Sequence, residues 1–112
     1  MINIRRNFLL ESVRHIFLTG EYQVQSIAAA FEMFGQYMTE HSKQEMIYRH
    51  IRTVLKQNPA KEYSFIRMAK TIDMPSEQEY LNMLQNVIIR LHQEKRLEFN
   101  EYKTSFKYKE KV

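Results

Sequence analysis

The side chains best equipped for recognition chemistry lie in one run: Asn82, Gln85, Asn86 and Arg90, at spacings that share one side of a helix. A carboxamide matches the donor and acceptor on the major-groove edge of adenine, and an arginine fork matches the two acceptors of guanine. A second set is basic. Lys70 precedes the run, and Arg96, Lys103, Lys107 and Lys109 follow it, all suited to phosphate oxygens. Each set has a plainer reading. The polar run is equally a solvated helix face, and lysines alternating along a strand also stop edges from pairing between molecules. Ile89 stands on the same polar side and suggests a protein contact.

Catalytic chemistry finds little purchase. The four histidines, His15, His41, His50 and His92, form no i, i+4 ligand pair, and Asp73 is the single aspartate. The chain has no cysteine, which excludes thiol catalysis, disulfides and cysteine-ligated metals. It has no glycine-rich phosphate loop and no nucleophile elbow. Glutamates are scattered and matched to basic neighbours, as Glu45 is to Arg49 four residues on. The seven methionines read as core filler. The expectation is a protein that is not an enzyme, with no metal and no cofactor.

The elements that must carry these residues follow from periodicity. Leu81, Leu84, Ile88 and Leu91 mark the buried face of a long helix, entered through Pro75, with Ser76 and Glu79 as a capping box. After Lys95 the period drops to two: Leu97 and Phe99, then Tyr102, Thr104, Phe106 and Tyr108, alternate with charged and polar residues, which predicts a β-hairpin. Upstream, residues 5–18 predict a first helix on Leu9, Val13 and Ile16, stopped by Gly20. A second runs over residues 24–38 with more apolar surface than a two-helix arm hides by folding on itself, so it packs on the rest of the domain or on another copy. A third covers residues 43–57, capped by Ser42 and ended by Asn58-Pro59, with Ile47, Ile51, Val54 and Leu55 inside and Arg49, Arg52 and Lys56 outside. Residues 61–64 read as an extended link, and 65–72 as a short helix.

At 112 residues this is one domain, with an arm over 1–40 and a core over 41–112. The formal net charge is +4. Residues 41–75 carry seven basic and three acidic side chains, whereas residues 1–40 carry three and four, so the positive charge sits toward the middle and end, as a polyanion partner requires. No secretory signal is legible at the N-terminus and no run approaches the ~18 apolar residues of a membrane span. A cytoplasmic protein with no membrane partner is expected.

Residues 43–109 resemble the winged helix-turn-helix superfamily in element order. Residues 43–57 stand at its first helix, 65–72 at its second with Ala69 at the small position, 76–93 at its recognition helix and 96–109 at its wing. The run VIIRLHQEKRLEF looks like the end of such a recognition helix entering the first wing strand. The resemblance implies a mostly α fold with a small β-hairpin, a winged-helix-like domain preceded by an N-terminal helical hairpin. It implies double-stranded DNA as partner, with Asn82, Gln85, Asn86 and Arg90 at bases and Lys70, Arg96, Lys103, Lys107 and Lys109 at the backbone. A homodimeric transcriptional regulator or DNA-organising factor follows, with residues 5–38 at the dimer contact. Glu77 and Glu79, in the first turn, would repel phosphate. They favour the alternative, a protein-binding adaptor or inhibitor on the same scaffold.

Overall fold

The computed structural model describes residues 26–109. Among them are four α-helices and one two-stranded antiparallel sheet: α1 (Ile27–Phe34), α2 (Glu40–Gln57), α3 (Phe65–Thr71), α4 (Gln78–Gln93), β1 (Leu97–Phe99) and β2 (Phe106–Tyr108). The helix expected over 5–18, and Val24 at the start of the next, lie outside the described residues.

Three of the four described helices start on hydroxyl caps, and two starts shift from expectation. Ser26 caps α1, its Oγ accepting from the Ala29 amide at 3.0 Å and donating to Asp73 Oδ2 at 2.5 Å. The α1 spiral does not run on to Met38. It tightens into one 3-10 turn, Gly35–Tyr37, and Met38 turns extended. That extended step delivers Thr39, whose Oγ1 accepts from the Ser42 amide at 3.0 Å, so α2 starts at Glu40 rather than 43 and Ser42 is inside the helix. Ser64 caps α3 through the Arg67 amide at 3.1 Å. The expected Ser76/Glu79 box does not form. Glu77 holds the cap position of α4 with no side-chain bond, and Ser76 lies outside the helix. The carboxylates of Glu77 and Glu79 instead favour this end through the helix dipole.

The ends of α3 and α4 are made without glycine. After α3, the Asp73 amide donates to Lys70 O and the Met74 amide to Ala69 O; after α4, the Lys95 amide donates to His92 O and the Arg96 amide to Leu91 O. Both are Schellman closures, and each needs one left-handed residue. Asp73 (φ 53) and Lys95 (φ 60) take that conformation.

In the sheet, Leu97 pairs with Tyr108, Glu98 with Lys107 and Phe99 with Phe106. The link at 61–64 adds one rung on the other side of β2. Tyr63 and Phe106 exchange both backbone hydrogen bonds at 2.8 Å. The strands are shorter than the alternation suggested. Residues 101–104 form the connecting turn, because the Lys103 amide bonds back to Asn100 O and the Asn100 carboxamide accepts from the Thr104 and Ser105 amides. Lys103 is left-handed at φ 57, so Tyr102 and Thr104 belong to the tip.

One core joins every element. Ile47, Ile51 and Leu55 of α2 meet Leu84, Val87, Ile88 and Leu91 of α4, with Met68, Ile72, Tyr63, Leu97 and Phe106 closing the ends. α1 adds Ile27, Ala30 and Phe31. It is held at the α3–α4 turn, where its first two amides donate to Ile72 O and Asp73 O at 2.9 and 2.8 Å. The buried face of α4 is turned slightly from the expected stripe: Met83 and Val87 are buried and Leu81 is only half-buried.

Candidate functional site

The solvent side of α4 carries Gln78, Asn82, Gln85, Asn86 and Ile89, all exposed, with Ile89 at 45%. Gln78 Nε2 donates to Asn82 Oδ1 at 2.9 Å, one helical turn apart. Glu77 and Glu79 stand exposed at the N-terminal end. The face is therefore polar and uncharged along its middle and acidic at its start.

Arg90, one turn after Asn86, keeps 40% of its side chain exposed but leans toward α2. Its Nη1 meets Glu45 Oε1 of α2 at 2.5 Å, its Nε meets Glu94 Oε2 at 3.2 Å, and its guanidinium lies 3.9 Å from the centre of the Tyr48 ring. Tyr48 also donates its hydroxyl hydrogen to Glu94. Arg96 Nε is buried 3.4 Å from Glu94 Oε1, an ion pair without a hydrogen bond. Burial disfavours the ionised Glu94 carboxyl, but the Tyr48 hydroxyl with Arg90 and Arg96 outweighs it and holds Glu94 below the usual carboxylate range. Burial opposes the Arg90 charge too, and Glu45 and Glu94 reverse that and raise it. Tyr48 is pushed up, by burial first and Glu94 second. The cluster clamps the end of α4 to α2 and to the base of the hairpin.

The expected phosphate set is divided in the same way. Lys70 is exposed on α3 beside Arg67, and these two with Ser64, Ile66 and Thr71 line a shallow depression. Lys103 is exposed at the hairpin tip and Lys109 just after β2. Lys107 reaches Glu98 across the rung at 3.7 Å, and Arg96 is turned in toward Glu94. Lys103, Lys107 and Lys109 thus do not form one row, since the tip turn takes Lys103 out of the strand. Arg52 and Lys56 stay exposed on α2, while Arg49 is half-buried.

Sequence reasoning passed over exposed Arg67 and set Tyr102, which is 78% exposed at the tip, in a strand. Arg67 stands three residues before Lys70, a spacing that places both on one helix side. Tyr102 was hidden by the strand alternation that it happens to fit. Among the described residues no group of three or more His, Asp and Glu side chains could hold a metal ion, and no helix is long and apolar enough to cross a membrane. Compared with known proteins, the chain matches no family model, no curated protein and no solved structure.

Proposed function

We propose that the chain is a DNA-binding protein of winged-helix type, a transcriptional regulator or DNA-organising factor that presents α4 to the major groove. The observation that carries this reading is the exposed amide row Asn82, Gln85 and Asn86 on α4, flanked in the chain by the exposed cations Arg67 and Lys70 on α3 and Lys103 and Lys109 on the hairpin. Amides read base edges and the flanking cations take phosphates, the division of labour that protein–DNA interfaces require. The order helix, single rung, helix, helix, hairpin, with Tyr63 paired to β2, supports this reading, being compatible with the element order that the winged-helix resemblance implies. Two copies would place two α4 helices on adjacent half-sites, which binding at two chains per duplex would reveal.

A protein partner is favoured by a different observation: Glu77 and Glu79 at the α4 N-terminus, together with exposed Ile66 (66%) and Ile89. Fluorescence anisotropy of labelled duplex DNA at low and near-physiological salt separates the two. Binding that falls steeply with salt supports DNA. No binding at low salt rejects it in favour of the protein-partner reading.

A further inference from the structure

We propose that the DNA site selected by this chain is centred on A·T base pairs, with Gln85 and Asn86 on adenine and Ile89 on the thymine methyl, and that α4 does not read guanine. This deepens the DNA-binding reading above and rests on it.

The inference comes from what α4 offers and what it withholds. Gln85 and Asn86 are exposed and form no hydrogen bond with another described residue, so both ends of each carboxamide are open. Asn82 accepts one bond from Gln78, which fixes its amide plane and leaves its Nδ2 hydrogens free. A carboxamide complements N6–H and N7 of adenine; against guanine, two acceptors face its one donor group.

The arginine that could read guanine is committed elsewhere. Arg90 is the only arginine of α4. The side-on fork of its guanidinium, Nε–H with Nη2–H, is taken at Nε by Glu94. The end-on fork, Nη1–H with Nη2–H, shares Nη1 with the Glu45 carboxylate, which accepts one of the two Nη1 hydrogens. The guanidinium plane lies over Tyr48. Swinging the side chain out would leave two carboxylates without that partner near the phosphates of the same duplex, a penalty the bound state would have to overcome.

Ile89 completes the pairing. It is 45% exposed, three residues after Asn86 and four after Gln85, so it shares their helix side. An apolar side chain there has no hydrogen bond to offer a base edge, and the thymine 5-methyl is the apolar group the major groove presents. Amide and isoleucine together match the two halves of an A·T pair.

The test uses the full chain. Duplexes selected from a random library should carry an A·T core. On the selected duplex, 7-deazaadenine in place of a contacted adenine should weaken binding by about tenfold, and deoxyuridine in place of its thymine should weaken it by a smaller factor. Asn86→Ala should abolish the 7-deazaadenine effect at one position and lower affinity for the selected duplex more than for random duplex. Ile89→Ala should abolish the deoxyuridine effect. Both residues are exposed, so the variants should melt as the parent does. A selected G·C core, or binding with no base preference, overturns the A·T assignment and leaves DNA binding standing. Failure to bind any duplex removes both.

Discussion

Arg90 shows how a single contact set redirects a side chain. Its spacing places it with Asn82 and Asn86, yet Glu45 on a different helix and Glu94 one turn on draw it toward α2. Tyr48 is the hinge of that arrangement, stacking under the guanidinium and donating to Glu94. Tyr48→Phe keeps the ring and removes the donor, and should cost about 1 kcal/mol in denaturant unfolding at pH 7. Because Glu94 is held below its ordinary range, its contribution is present above the unfolded carboxyl pKa and is lost as pH falls through the lower folded value. The gap between Tyr48→Phe and parent should therefore narrow in strong acid. His50 acts in a separate window. Burial lowers its pKa, so below about 6.5 the unfolded chain takes up the proton first and stability drops as pH falls. Melting temperatures between pH 7 and 5 should fall less for His50→Gln than for the parent, and equal slopes would reject the assignment.

Helix ends and turns carry their own consequences. Lys95 closes α4 at φ 60, a conformation that costs an L-residue about 1 kcal/mol and glycine almost nothing. Lys95→Gly should stabilise the fold by up to about 0.5 kcal/mol in chemical denaturation, net of the added freedom of the unfolded chain. A loss of stability would mean that the lysine side chain matters more than the turn. α2 and α4 form the central packing, and Leu84 is fully buried between them. Leu84→Ala should cost about 2–5 kcal/mol. The hairpin depends on Asn100, whose carboxamide makes three hydrogen bonds across the tip, to the amides of Thr104 and Ser105 and to the Thr104 hydroxyl. The length of the strands is set there rather than by alternation.

Across the whole molecule, charge and shape divide the surface. Cations are exposed on α2, α3 and the hairpin, and the exposed middle of α4 is neutral. On the proposed DNA-binding function, affinity for duplex should fall with salt through these cations, and discrimination among sequences should come from α4. Lys70→Ala and Lys109→Ala should each weaken binding to every sequence alike and flatten the salt slope by about one. A sequence-dependent loss from either would place that lysine at a base instead.

The sequence by itself located α2 and α4 to within a few residues, because the 3.6-residue period of Ile47, Ile51, Leu55 and of Leu84, Ile88, Leu91 needs no partner to be seen. It also placed the hairpin through the switch to period two, and the exposure of Asn82, Gln85 and Asn86 through their position opposite that apolar stripe. Caps were less legible. Thr39 and Ser42 are both suitable, and only the extended step at Met38 decides for Thr39. The left-handed closures at Asp73 and Lys95 left no glycine to mark them. The tertiary structure alone decided the fate of the charges. Glu45 and Arg90 are 45 residues apart in sequence, as are Tyr48 and Glu94 by 46, and no local rule brings them together. Hydrophobic patterning fixes which faces meet, and the meeting of α2 with α4 then selects which polar groups at the rim become partners and which stay free for a ligand.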